Sequence, residues 1–229
     1  PLSQGTFASC EESYDRVLRK SAFENLYAGY DAFKNTIAAI LASQMRQLKF
    51  FAQARRYPSS LDMALDGTNV PVQVYTNLID TVNGNLDKMH RYVRLRKKLL
   101  NLPELHMYDV YAPLIKKEKR HISFEEAKET VASALAIMGD KYISILRQGY
   151  EGRWIDVYEN VGKRSGAYSA GARVHPYVLL NYNGTLDSVF TLAHEMGHAI
   201  HSYLSTENQP IPYSDYVIFV AEVASTVNE

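Results

Sequence analysis

Five consecutive residues, His194-Glu195-Met196-Gly197-His198, fit the pattern H-E-x-x-H. Residues i and i+4 share one face of an α-helix, so two imidazoles at this spacing reach one metal ion. Glu195 lies one position round from His194. It can lean toward a water at that ion without being a ligand. A catalytic zinc takes three protein ligands and keeps a fourth position open. Two histidines therefore need a third donor from elsewhere. One known arrangement adds a histidine six residues after the second, but that position is Leu204. His201, three residues after His198, reads as a helix-face group or a neighbour of the ligands.

The remaining route is a carboxylate on a following helix. Glu222 stands in Val220-Ala221-Glu222-Val223-Ala224-Ser225. A semi-buried carboxylate among apolar neighbours is costly unless a cation or hydrogen bonds balance it, and zinc is such a cation. Glu207 falls in a polar stretch expected to be a solvated loop. Glu229 is seven residues past Glu222, hence on the same helical face. It is either an acceptor for a ligand histidine's second N–H or a plain surface group.

The elements that must position these groups are mostly helices. Tyr14 to Ala54 carries no proline, and Val17, Leu18, Ala22, Phe23, Leu26, Tyr30, Phe33, Ile37, Ile40, Leu41, Met45 and Leu48 recur at steps of three and four. A second long helix is expected from Val72 to Leu100, with Val74, Leu78, Val82, Leu86, Met89 and Val93 on its apolar face. Arg91, Arg94, Arg96, Lys97 and Lys98 crowd its end and read as a solvated face suited to the negative end of the helix dipole. Ser123 and Glu126 form a capping box for a helix through Met138, and further helix is expected from Asp140 to Gln148. The character changes after Trp154. Ser165 to Ala172 is small and polar, and Val178 to Tyr182 is strand-like, so the two are expected to pair as a small sheet. The Val178 to Asn181 strand is either an edge for an extended peptide or a buried core strand. Asn183-Gly184 turns the chain into the helix that bears the motif. Pro210 and Pro212 break it, and Ser214 is read as the cap of a last helix holding Val217 to Val227. The pattern is still helical at Glu229, so a piece of a longer protein is expected.

Composition narrows the partners. Lysine plus arginine and aspartate plus glutamate balance at 25 each. No net field draws the chain to nucleic acid or an acidic membrane surface. No run approaches the ~18 apolar residues of a membrane span. The single cysteine, Cys10, cannot form an internal disulfide and fits a reducing, cytoplasmic compartment. The first residues lack a signal peptide's basic leader and apolar stretch. Asn183-Gly184-Thr185 matches a glycosylation acceptor, which has no meaning in a protein that is not secreted.

The segment TLAHEMGHAIHSYLSTENQPIPYSDYVIFVAEVASTVNE resembles the oligoendopeptidase F group of the thimet oligopeptidase family of zinc metallopeptidases. The likeness runs upstream through RSGAYSAG and HPYVLLNYNGTLDSVF, then ELHMYDVYAPL, DRVLRKSAFE and ALDGTNVPVQVY. HEMGH alone is common to many peptidases, whereas HEMGH with AEVASTVNE at this distance is specific. The resemblance implies zinc held by His194, His198 and Glu222, with Glu195 as general base. It implies a mainly α, long-helix oligopeptidase fold with a small β-sheet next to the zinc-binding helix, two lobes flanking a deep channel, and short peptides as substrates. Residues 1–150 would be a helical lobe segment. Residues 151–229 would be the zinc-binding catalytic segment of a partial domain, whose missing C-terminal part would be a partner. Ala170-Gly171-Ala172-Arg173-Val174 departs from the family's aromatic-rich loop, which bears on substrate contacts. The expected reaction is hydrolysis of internal peptide bonds. Zinc lowers the pKa of its bound water from 15.7 toward ~7, and Glu195 takes that water's proton. The competing expectation is a zinc-binding helical fragment or scaffold without catalysis.

Overall fold

The structure, a computed structural model, describes residues 2–115 and 121–229, with only the backbone of Gln4. The chain divides into two compact units, residues 1–116 and 117–229.

The first unit is helical. It holds α1 (Gln4–Glu11), α2 (Arg16–Asp31), α3 (Lys34–Ala54), α4 (Ser60–Asp66), α5 (Val72–Asn83), α6 (Leu86–Leu99) and a 3-10 turn, Met107–Asp109. Local chemistry sets the starts. The Asp15 carboxylate accepts from the N–H groups of Val17 and Leu18, and Ser59 does the same for Leu61 and Asp62. Each of the two long helices read from the apolar periodicity is in fact a pair. The first breaks at Phe33, whose φ of −111° and ψ of 9° leave the helical region. Nothing in the residue types there forbids helix. The second breaks at Gly84-Asn85, where Asn85 (φ −118°, ψ 9°) leaves the helical region, and Gly84, a residue of low helix propensity, was a signal present in the sequence. The stripe formed by Ile37, Ile40, Leu41, Met45 and Leu48 is exposed. Periodicity therefore identified the helix without identifying anything that covers it.

A buried ionic cluster holds this unit. Asp109 is wholly buried and accepts from the Nε (3.0 Å) and a terminal N–H (2.9 Å) of Arg16, from Arg19 (2.9 Å), and from the backbone N–H of His106 (3.1 Å). Arg96 corrects the expectation of a solvated basic face. It is buried, and its guanidinium donates to the carbonyls of Asp109 and Ala112. A loop carbonyl thus replaced water as its partner, which periodicity along one helix does not show.

The second unit contains α7 (Phe124–Ala134) with a 3-10 extension over Leu135–Met138, α8 (Asp140–Glu151), β1 (Ile155–Asp156), β2 (Tyr168–Ala170), β3 (Tyr177–Leu179), α9 (Leu186–Asn208), a 3-10 turn over Ile211–Tyr213, and α10 (Ile218–Asn228). Helices α7 and α8 fall in the same compact unit as α9 because they share a core: Ala127, Val131, Ile145 and Leu146 from α7 and α8 pack with Val189, Leu192, Met196 and Ile200 of α9. Ser123 caps α7 by accepting from the Glu126 N–H. Ser214 does not cap α10. It closes the 3-10 turn, and α10 begins four residues later, after Val217.

The sheet has the order β1-β3-β2. β1 runs parallel to β3 with Ile155 opposite Val178, and β2 runs antiparallel to it with Ser169 opposite Val178. The expected pairing of two segments is present, with β1 added. β3 has a neighbour on each side and Val178 is buried. That leaves no edge on β3 for a peptide and supports the core-strand reading. At the entry to α9, Gly184 has φ +79°, and a Cβ there would stand 2.4 Å from the His121 ring. Thr185 then caps α9 by accepting from the Ser188 N–H.

The ionic cluster makes a testable statement about acid stability. Burial raises the Asp109 carboxyl, but the hydrogen bonds from Arg16, Arg19 and the His106 backbone outweigh it and bring the pKa from 3.8 to about 2. A carboxyl held low in the folded state stabilises fully above its unfolded pKa and loses that effect as pH falls toward the folded value. We expect roughly 2 kcal/mol of stability to disappear between about pH 4 and pH 2 on this account. Unfolding free energies at pH 5 and pH 2, compared between the parent and Asp109→Asn, would check it. An identical pH slope in the variant would remove Asp109 from the account.

Candidate metal centre

Helix α9 supplies three groups of the motif, and its burial sets where they point. Leu192, Ala193, Met196, Ala199 and Ile200 are buried, which fixes the helix rotation. His194 and His198 then project from the opposite face, with side chains 26% and 16% exposed. Their rings lie 4.8 Å apart at 83°.

Glu222 arrives from α10. Its Oε2 lies 3.6 Å from His194 Nε2 and 3.5 Å from His198 Nε2. All three donor atoms fall within 4.8 Å of one another. These gaps exceed ordinary hydrogen-bond length. The two carboxylate-to-imidazole gaps agree with the ~3.4 Å that separates two ligands of a tetrahedral zinc at about 2.1 Å. The donor set, two neutral imidazoles and a carboxylate, is one that zinc takes. Glu222 is 51% exposed rather than semi-buried as its apolar neighbours had suggested. Those neighbours are themselves largely exposed, Val220 at 45% and Val223 at 56%.

Other side chains aim the three donors. Glu229 Oε1 stands 2.7 Å from His194 Nδ1. Of the two sequence alternatives for Glu229, the histidine partner is the one present, although its carboxylate remains partly exposed. His198 is hydrogen-bonded to the Ala221 backbone. Fully buried Ser225 donates to Glu222 Oε2 at 3.0 Å or to its carbonyl at 3.1 Å. Ser225 was missed, although its position three residues after Glu222 on a helix was the available signal.

Glu195 is 6% exposed, and its Oε2 is buried without a hydrogen-bond partner among the described residues. Burial raises its pKa to about 6, with His194 lowering it and Glu222 raising it. A lone buried carboxylate oxygen beside such a cluster is costly unless something outside the protein meets it. His201 stacks on Tyr216 at 3.8 Å and lies outside the donor cluster among the described residues. Glu207 sits in the last turn of α9, exposed, rather than in a loop.

One glycine makes the meeting of α9 and α10 geometrically feasible. A Cβ at Gly197 would stand 2.7 Å from the Ala224 carbonyl oxygen and 2.8 Å from Ser225 Cα. Both are backbone atoms of α10, so no side-chain rotation relieves the clash.

Fold and site together define a mainly helical protein of the H-E-x-x-H type with a glutamate on the next helix facing both imidazoles. The chain belongs to peptidase family M3, whose model matches residues 9–229. It is 46% identical over 229 residues to oligopeptidase PepF of Bacillus subtilis (strain 168), spanning all of this chain and 34% of that protein. It is 44% identical to chromosomal oligoendopeptidase F of Lactococcus lactis subsp. cremoris, again over the whole chain and 38% of that protein. Among solved structures it is similar to oligoendopeptidase-F from Enterococcus faecium, at 34% identity and a TM-score of 0.61, covering 99% of this chain and 33% of that one. The chain thus spans little more than a third of the length of these relatives.

Replacing Gly197 by alanine should push α10 away from α9. The expected cost is about 1–3 kcal/mol of stability from overpacking, with zinc affinity falling at least about tenfold. Competition with a chromogenic chelator measures the second quantity. Equal zinc affinities in Gly197→Ala and the parent would show that Glu222 does not depend on this contact.

Proposed function

We propose that this chain carries the zinc-binding and proton-transfer part of a peptidase that hydrolyses internal bonds of short peptides. The observation that carries this reading is a buried carboxylate, Glu195, with an unpartnered oxygen beside two imidazoles and a carboxylate spaced for one ion. The names of the relatives, oligopeptidase and oligoendopeptidase, support the choice of short peptides.

His194, His198 and Glu222 would hold the zinc. When bound, the ion supplies Lewis-acid chemistry, acidifying water and polarising a carbonyl. Glu229 keeps the His194 ring turned so that its Nε2 faces Glu222. The Glu195 carboxylate accepts a proton from the attacking water and later donates it to the leaving amine nitrogen as the C–N bond breaks. Burial raises this carboxyl above the usual carboxylate range, which favours its holding a proton between the two transfers.

A second reading, metal binding without turnover by this chain alone, is favoured by the exposure of Glu222 and Glu229, which leaves that side of the cluster open to water. The single cysteine is the ground for assigning a reducing, cytoplasmic setting. No helix among the described residues is long and apolar enough to cross a membrane.

In the full-length protein, Glu195→Gln should retain zinc and lose about a hundred- to ten-thousand-fold in turnover of a short, terminally blocked fluorogenic peptide. Undiminished turnover would end the general-base assignment. Zinc binding without cleavage of that peptide by this chain alone would favour the second reading.

A further inference from the structure

We propose that Asn228 is a positioning residue for the metal cluster, held by Tyr142 and in turn holding the Ala193 carbonyl. This rests on the metal reading given above and adds the device that sets its geometry. Asn228 is buried. Its Nδ2 donates to the Ala193 carbonyl at 2.9 Å, and its Oδ1 accepts from the Tyr142 hydroxyl at 2.6 Å. Both ends of the amide are engaged, so its orientation is determined. Tyr142 lies on α8, Ala193 on α9 and Asn228 on α10, so one side chain ties three helices.

The placement is specific. Ala193 immediately precedes His194, and Asn228 immediately precedes Glu229, which meets His194 Nδ1. The last residue of α10 and the one after it therefore grip two successive residues of α9. Asn228 Nδ2 is also the side-chain atom nearest to the bare face of Gly197. A helix advances 1.5 Å per residue. A slip of one residue along α10 would move Glu222 Oε2 by a large fraction of its 3.5–3.6 Å separations from the imidazoles. Apolar packing resists separation of the helices but is non-directional. The two directional hydrogen bonds of Asn228 supply the axial and rotational register.

The test uses the full 229-residue chain and Zn2+ or Co2+ as the probe. Asn228→Leu keeps the branched four-atom shape of the side chain, though it is bulkier, and removes both hydrogen bonds, and Tyr142→Phe removes one. We expect zinc affinity to fall about tenfold in the first and about threefold in the second, with helical circular dichroism retained. The visible absorption of bound Co2+ should change in both. Adding Asn228→Leu to Glu229→Ala should lose less than the sum of the two, because both act through His194. Unchanged affinity and Co2+ spectrum, with only a lower unfolding midpoint, would overturn the proposal in favour of plain structural support. If Asn228→Leu does not fold, the Tyr142→Phe affinity and spectrum decide. A parent chain that takes up neither ion would instead defeat the metal reading itself.

Discussion

The site depends on backbone-to-backbone contact between α9 and α10 at Gly197. At that point the two helices have no side chain between them. Only at that separation does a glutamate from α10 stand close enough to face both imidazoles of α9. The other side of α9 is fixed by an apolar core that reaches into α7, α8 and the sheet. One face of the helix is therefore held by area and the other by proximity. The metal-facing side chains occupy the strip between them.

Within that strip the polar groups divide the work by environment. The two imidazoles and Glu222 keep some exposure, so their donor atoms stay solvated when no ion is near. Glu195, one step round the same helix, is nearly buried, and burial is what raises its pKa. Adjacent residues thus meet different dielectric surroundings because one helix emerges from a core. Ser225, Glu229 and the Ala221 backbone restrict the donors, which lowers the entropy lost when an ion arrives.

The first unit is held in another way. Its described helices leave much apolar surface exposed, on α3 and α5 above all. Its buried polar cluster, Asp109 with Arg16, Arg19 and the backbone carbonyls that Arg96 holds, supplies directional ties that small apolar contacts do not. Such a cluster tolerates burial because nearly every donor and acceptor is met. Loss of one member leaves a charge without a partner, so the unit's integrity rests on a few residues.

The helices, the H-E-x-x-H motif and the pairing of the two segments around Ser169 and Val178 were legible in the sequence, because each follows from local periodicity, capping or spacing. The likeness to M3 peptidases was legible for the same reason, in the joint spacing of HEMGH and AEVASTVNE. Four things were not. The break at Phe33 follows from no residue type there, and the grouping of α7 and α8 with α9, the burial of Arg96 and the central place of β3 each depend on contacts between residues far apart in the chain. Glu222 could be nominated from its neighbours, yet its exposure came out differently because apolar neighbours on a surface helix do not bury it. By itself the sequence determined which groups can bind and which can carry a proton, since those are properties of residue type and local spacing. Only the tertiary structure decided that Glu222 meets both histidines and Glu229 meets His194, because that requires two helices to touch, and contact is a property of their packing.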